Sequence, residues 1–387
     1  MQTDKPKQLF LTLAFLVILF TEGVTLLAIQ IIHGDRPTVF DFFIQPPSQQ
    51  NLRAFETQLQ DESLFVFRLR PFMQSMRFMI LNDLGKKVIQ GIDGWLFYHL
   101  DVQYLTEKFP HGLTSKQPDE STDAVIQSIL SFRNRLDKRG IHLLVVPAPG
   151  KPGIYPDKLT DRVSDPAVPV NGNSLRLLSR LQQEGVEVVN LFDNFSMHRR
   201  AEFYTSTNPL YLVQDTHWSP EGMKLAARLV AKRLLENGWV HKGETDYLLK
   251  PVTFSRLGDV LRMTQIPHIE NRFIPETIHA TQVIDTSTHQ PYADDPSSDV
   301  LVMGDSFLRI YERDEPGSGG FVAHLASELG KPLSSIINDG GASTLVRQEL
   351  YRKPDLLVGK KVVIWEFVER DIRFGTEGWQ DVPLPPG

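Results

Sequence analysis

The run Asp299-Val300-Leu301-Val302-Met303-Gly304-Asp305-Ser306-Phe307 decides how the rest of the chain is read. Asp299 to Met303 reads as a short strand buried in a parallel sheet, because its apolar residues follow one another without the alternation of a half-exposed strand. Gly304 and Asp305 then turn the chain and leave Ser306 at the strand's C-terminal end. Ligands of open α/β sheets bind at that end, and a small-residue turn after an apolar run can present a serine hydroxyl to a pocket. A Gly-Asp-Ser triplet is short, and it equally describes a plain polar turn. A nucleophilic Ser306 therefore requires a base, an orienting group and an oxyanion site elsewhere in the chain.

The base is sought in Asp215-Thr216-His217-Trp218. A helix start follows at once: Ser219 suits the N-cap, Pro220 the first helical position and Glu221 the first turn. His217 is thus held beside a rigid element. An aspartate two residues earlier can fold back onto the imidazole Nδ1, fix the tautomer and leave Nε2 free to take a proton. A serine hydroxyl is a poor nucleophile until such a base acts on it. Read alone, Asp215 and His217 are a capping carboxylate beside a surface ring; their pairing with Gly-Asp-Ser in one α/β chain makes the catalytic reading the sharper one.

Two sources of oxyanion donors are available. One is the backbone N–H of Ser306. The other is Asn338-Asp339-Gly340-Gly341-Ala342-Ser343, a strand-to-helix turn whose glycines let backbone N–H groups approach a ligand at a helix N-terminus; an ordinary turn is the plain alternative. Arg309, Tyr311 and Arg370 fall near strand ends, and with Trp218 they are candidates to bind a polyhydroxyl or anionic acceptor. Surface ion pairing is the alternative for the arginines. The 11 histidines are scattered without His-Glu-x-x-His or His-x-His spacing, and no Gly-x-x-x-x-Gly-Lys-Ser/Thr loop occurs. Neither a metal nor a cofactor is expected.

Composition agrees with a folded chain: 387 residues, 41% hydrophobic and 23% charged. The net charge of −6 offers nothing to a nucleic acid, and with no cysteine there is no thiol nucleophile, disulfide or thiolate metal site. Leu9 to Ile32 is apolar over the length of a bilayer core, with Lys5 and Lys7 before it and Arg36 after it. It reads as an uncleaved N-terminal transmembrane anchor, with a cleaved signal peptide as the competing reading. Glu22 within it is costly in a bilayer and is expected to snorkel, be protonated or face a membrane partner.

Residues 1–36 form the cytoplasmic tip and anchor, and 37–118 a connector, a packing helix and an aromatic hairpin. The connector holds Pro37, Pro46 and Pro47. Helical spacing runs from Asn51 to Leu84 with a break or kink at Pro71. Val88 to Tyr98 reads as a hairpin turning at Asp93-Gly94, whose Trp95, Phe97 and Tyr98 belong either to the core or to the wall of a sugar site. Residues 119–375 alternate helices with apolar strands, the pattern of a parallel sheet covered on both faces. The helices are placed at Asp119–Gly140, Leu175–Gly185, Leu225–Asn237, Gly320–Gly330 and Thr344–Arg352. The strands fall at Ile141–Pro147, Val186–Leu191, Asp299–Met303, Ser334–Asn338 and Val362–Phe367. A β-rich insertion is expected at about 247–292; the tail is 376–387, of which the Pro-rich stretch Val382–Gly387 is expected to be disordered.

Together these segments resemble a known family. Gly304–Phe307, Asp215–Trp218, Gly91-Ile92-Asp93-Gly94-Trp95-Leu96-Phe97-Tyr98, Pro147–Leu159, Asn338–Ser343 and Trp365–Ile372 are similar to the alginate O-acetyltransferase AlgJ/AlgX-like proteins, which have an SGNH-hydrolase-like fold. The likeness runs from about residue 50 to residue 375. It implies a Ser-His-Asp site formed by Asp215, His217 and Ser306, facing the periplasm from an inner-membrane anchor. It also implies acetyl transfer to hydroxyls of an exopolysaccharide, through an acetyl-serine, with acetyl delivered by a separate multi-pass membrane acyltransferase. The Asp-x-His spacing departs from the Asp-x-x-His of general SGNH hydrolases, which leaves the oxyanion residues less well placed than the triad. Two other functions remain: a polysaccharide deacetylase or esterase with the same triad, and a non-catalytic glycan-binding assembly subunit.

Overall fold

The computed structural model describes residues 5–34, 48, 52–53, 64–107, 120–163, 170, 172–205 and 208–386. They divide into two compact units, Met1–Gly85 with Gln265–Pro267, and Lys86–Thr264 with His268–Gly387.

Among its described residues, the first unit contains two long helices. Lys5–His33 is continuous over 29 residues, yet among the described residues no helix is long and apolar enough to cross a membrane. The span expected at Leu9–Ile32 is therefore not borne out. Thr12, Thr21, Glu22, Gly23, Thr25 and Gln30 interrupt the apolar run, and Thr21 and Thr25 turn their hydroxyls back onto the carbonyls of Val17 and Thr21, at 2.6 and 2.7 Å. The second helix, Leu64–Leu81, continues through Pro71 rather than ending there. The three connector prolines and the Glu22 side chain lie outside the described residues.

The second unit is built on a five-stranded, wholly parallel sheet. Its strands are β3 (His142–Ala148), β4 (Glu187–Val188), β7 (Val300–Gly304), β8 (Ser334–Ile337) and β9 (Val362–Val368), in the spatial order β4-β3-β9-β7-β8. Side chains alternate between two cores, as the period of a strand requires. Leu143, Val145, Leu301, Met303, Val363 and Trp365 meet helices Glu120–Asp137, Gly172–Gln183 and Leu345–Arg352. Leu144, Val146, Val300, Val302 and Ile364 meet helices Pro220–Glu236 and Phe321–Leu329. The chain winds outward from β3 to β4 and from β7 to β8, and β9 fills the centre. The crevice at the carboxyl ends of β3, β9 and β7 is thus a topological switch point, the place where such sheets bind ligands.

Two antiparallel pairs complete this unit. A small hairpin, β1 (Val88–Gln90) and β2 (Leu96–Tyr98), turns through Asp93 and Gly94 at φ 55° and 79°. Trp95 and Phe97 are buried in the core, so the sugar-wall reading does not hold for them. The insertion is a ribbon of two ten-residue strands, β5 (Tyr247–Arg256) and β6 (Glu276–Asp285). The region expected as a strand at Val186–Leu191 keeps only the two-residue β4, because helix Leu191–Thr205 takes over at Leu191.

The tail is a clear correction. Within the stretch expected to be disordered, Val382 is buried and Arg139 donates to the Pro385 carbonyl, and the preceding residues 376–381 lie on the body too. Trp379 sits 5.6 Å from the Trp365 ring and 5.1 Å from Phe367, and its indole N–H donates to the Asp371 carbonyl at 2.8 Å. Arg135 donates to the Val382 carbonyl at 2.7 Å and Arg347 to that of Gln380 at 2.9 Å. Proline content misleads here because a chain without N–H donors can still offer carbonyls and an aromatic anchor. Trp379→Ala is expected to lower unfolding free energy by roughly 2 kcal/mol, somewhat less than a fully buried tryptophan would cost, as read by urea denaturation.

Candidate active site

Asp215, His217 and Ser306 come together at the carboxyl end of β7. The Asp215 Oδ1 accepts from the His217 Nδ1 at 2.6 Å and from the His217 backbone N–H at 3.1 Å. On the other side of the ring, Nε2 lies 2.8 Å from the Ser306 hydroxyl. Local sequence produces both halves. The Ser219 hydroxyl caps helix Pro220–Glu236 by accepting from the Gly222 N–H, which fixes the chain just after His217. Asp305 caps the single turn Ser306–Arg309 by accepting from the Phe307 N–H at 2.8 Å, and its other oxygen accepts from Val368 at 3.2 Å.

The charges are tightly arranged. Burial alone would push the Asp215 carboxyl up, but His217 and Arg256 reverse that and hold it well below the ordinary carboxylate range. Arg256 Nε donates to Asp215 Oδ2 at 3.0 Å, and the Asp259 backbone N–H donates to the same oxygen at 3.1 Å. Burial disfavours the His217 imidazolium, yet Asp215 outweighs it and raises the ring above its usual 6.5. Asp259 accepts from the Thr216 N–H and hydroxyl at 2.7 and 2.6 Å. Asp215, His217 and Asp259 bring ligand-type atoms within 4.8 Å of one another, as a metal site would. Arg256 already supplies the positive charge there, and Asp215 Oδ1 and His217 Nδ1 are committed to each other.

The other residues expected at the site fall into different places. Trp218 and Tyr311 are wholly buried and offer no surface to a ligand. Instead the Trp218 indole donates to the Phe307 carbonyl at 3.1 Å and the Tyr311 hydroxyl to the Trp218 carbonyl at 3.2 Å, tying the serine turn to the histidine segment. The Gly341 N–H is used inside its own turn, donating to the Asn338 carbonyl at 3.2 Å, and the Asn338 amide donates to Glu349 at 3.2 Å. Gly340 sits in the turn at φ 67°. Both Asn338 and Gly341 are thereby engaged away from an oxyanion role. The Ser306 N–H donates to no group among the described residues. Arg309 pairs with Asp314 and Asp339. Arg370 donates to Asp101 at 3.0 Å and lies over the Tyr98 ring, 5.5 Å from its centroid.

Lys151 is not marked out by the sequence, although it sits in Pro147–Leu159, one of the segments that carry the family resemblance. Its ammonium is fully buried and donates to the carbonyls of Leu212, Val213 and Asp215 at 3.0, 3.1 and 2.6 Å. It also lies 5.6 and 5.1 Å from the Trp95 and Phe97 ring centroids. A lysine among apolar neighbours was the available signal. Burial lowers it to about 8, against the opposing pull of Asp215, Asp259, Glu276 and Asp101. Glu276 completes the hold on this loop, accepting from the Val213 and Gln214 N–H groups at 2.8 and 2.6 Å. Chemically, the hydrogen-bonded chain from Asp215 through His217 to Ser306 can move a proton off the serine hydroxyl and stabilise the resulting imidazolium.

Comparison with known proteins follows the same lines. A family model described as SGNH hydrolase-like domain, acetyltransferase AlgX, matches residues 88–369. The chain is 24% identical over 334 residues to a probable alginate O-acetylase AlgJ of Pseudomonas fluorescens, covering 84% of this chain and 78% of that one. It is 21% identical over 327 residues to the probable alginate O-acetylase AlgJ of Pseudomonas syringae pv. tomato, covering 82% and 77%. Among solved structures, the O-acetyltransferase domain of Pseudomonas putida AlgJ superposes with a TM-score of 0.56 at 18% identity, over 75% of this chain and 93% of that one. Pseudomonas aeruginosa AlgX superposes with a TM-score of 0.51 at 18% identity, over 73% and 62%.

Replacing Lys151 provides a test through linkage. Between pH 8 and 10.5 the folded chain has released this proton while the unfolded chain still holds it. Stability therefore rises with pH in that window, and the burial cost is fully present below it. Urea midpoints measured across the window are expected to rise for the native protein relative to Lys151→Met, with the two curves parallel below pH 7.

Proposed function

The chain belongs to the AlgX family of SGNH hydrolase-like acetyltransferase domains, and from that premise we propose that it is an O-acetyltransferase acting on hydroxyls of an exopolysaccharide, alginate or a similar polymer. The observation that carries this reading is the 2.8 Å contact between His217 Nε2 and the Ser306 hydroxyl, with Asp215 behind the ring at 2.6 Å. His217 takes the proton as Ser306 Oγ bonds to the acetyl carbonyl carbon. Collapse of the tetrahedral intermediate expels the donor alkoxide, which receives that proton. A sugar hydroxyl then attacks acetyl-Ser306, gives its proton to His217, and the serine regains it on leaving. The Ser306 N–H is one donor available to the developing oxyanion.

The AlgJ relatives are named as alginate O-acetylases, which favours transfer to a glycan over hydrolysis by the same three groups. The intact hydrogen-bonded chain argues against a scaffold that has lost its chemistry. In this reading the body faces the periplasm at the inner membrane, with helix Lys5–His33 against the bilayer rather than across it. Leu9, Phe10, Phe15 and Phe20 on that helix are all exposed, which supports an apolar environment around it. A separate multi-pass membrane acyltransferase would supply the acetyl donor.

Mass spectrometry after incubation with an acetyl ester is expected to find an acetyl group on Ser306, and Ser306→Ala to show neither the adduct nor acetylated glycan while remaining folded. Acetylated wild-type Ser306 with a glycan that loses acetyl groups would mark a deacetylase instead. Because the imidazolium cannot accept a proton, the acid limb of kcat/KM is expected above 6.5, where Asp215 has lifted His217. Asp215→Asn should move that limb downward and reduce turnover by roughly 10⁴-fold, by analogy with serine-protease triads.

A further inference from the structure

Helix Leu64–Leu81 reads Leu-Phe-Val-Phe-Arg-Leu-Arg-Pro-Phe-Met-Gln-Ser-Met-Arg-Phe-Met-Ile-Leu, with three arginines and no acidic residue. At 3.6 residues per turn, Leu69, Phe72, Met73, Met76, Met79 and Ile80 share an arc of roughly 120°. A surface helix of a globular protein turns such an arc into the core. Here the arc faces outward: Phe72 is 59% exposed, Met73 51%, Met79 59% and Ile80 70%. Arg70 and Arg77, two turns apart, fall together along one edge of it. Arg77 also reaches Asp83, just past the helix end.

We infer that this face lies flat on a membrane surface containing anionic lipid, with the apolar arc among the acyl-chain ends and Arg70 and Arg77 at the level of the phosphates. The combination of an apolar arc, an arginine edge and a helix with no carboxylate is that of an interfacial helix rather than a spanning one. The arginines and Pro71 make it a poor span, and no described helix is long and apolar enough to cross. An apolar groove on a protein would accept the arc but gives no reason for a helix of three arginines and no acidic residue of its own; an anionic bilayer accounts for both. The inference does not depend on acetyl transfer.

The absence of cysteine lets single probes be placed in the full chain. Met73→Cys, Ile80→Cys and, as a reference on the enzyme body, Val358→Cys would carry an environment-sensitive fluorophore. Each labelled chain is reconstituted in vesicles of phosphatidylcholine and phosphatidylglycerol in equal parts. The expected result is quenching of the first two probes by spin-labelled lipid, several-fold stronger than at Val358→Cys, with protection from aqueous iodide. The double variant Arg70→Glu, Arg77→Glu should lose that difference, and so should vesicles of phosphatidylcholine alone. A tether through helix Lys5–His33 by itself would leave both probes in water, and iodide quenching equal to that at Val358→Cys would overturn the inference. Equal insertion into the neutral vesicles would overturn its anionic part. Small-ester hydrolysis at Ser306, measured on the same samples, should be unchanged by the arginine variants; its absence in the native chain would count against the proposed enzyme and not against the docked helix.

Discussion

A carboxylate with no exposure to water must have its charge answered by neighbouring groups, and Asp215 is such a carboxylate. Its two oxygens accept four hydrogen bonds, from the His217 ring and backbone, Arg256 and the Asp259 backbone. Removing any one partner would leave a buried charge short of compensation. The imidazole is therefore held by the same contacts that make the carboxylate tolerable in the interior. Backbone fit is equally close: a Cβ on Gly258 would stand 1.9 Å from the Gln214 carbonyl oxygen, so only glycine lets the two segments meet.

This requirement explains why the antiparallel ribbon is part of the site. Arg256 and Glu276 are directly opposite one another at its end. Arg256 neutralises Asp215, and Glu276 takes the N–H groups of Val213 and Gln214. From the other side Lys151 gathers the carbonyls of Leu212, Val213 and Asp215. One acid and one base thus clamp the backbone of a single loop, its donors to one and its acceptors to the other. The hairpin takes part through Trp95 and Phe97, which give the buried ammonium aromatic neighbours in place of water.

The serine half rests on a different kind of support. Glu366 on the central strand accepts from the Asp305 N–H at 3.2 Å, and burial, with Asp305 nearby, pushes its carboxyl well above the ordinary range. Asp305 is raised by burial as well, against the pull of Arg370. The upward push on Glu366 is the direction expected where two buried carboxyls lie side by side. Gly304 belongs to this packing, since a Cβ there would come within 2.4 Å of the Glu366 carboxylate oxygen. Trp218 then links the two halves through the Phe307 carbonyl.

The apolar run ending in Gly-Asp-Ser, the Asp-x-His before a capped helix and the alternation of strands with helices sufficed to place the sheet and the three side chains that meet at its carboxyl end. Those features are local: a buried strand, a helix cap and a carboxylate two residues from an imidazole are set by neighbours along the chain. The partners of this loop were not legible, because Lys151, Arg256, Asp259 and Glu276 reach it from 41 to 64 positions away. Trp218 and Tyr311 face the core and not a ligand for the same reason, since an aromatic ring looks alike in sequence whether it faces solvent or core. The Pro-rich tail shows the limit most plainly: composition sets what a segment can do alone, and only long-range contacts decide what burial and pairing make of it.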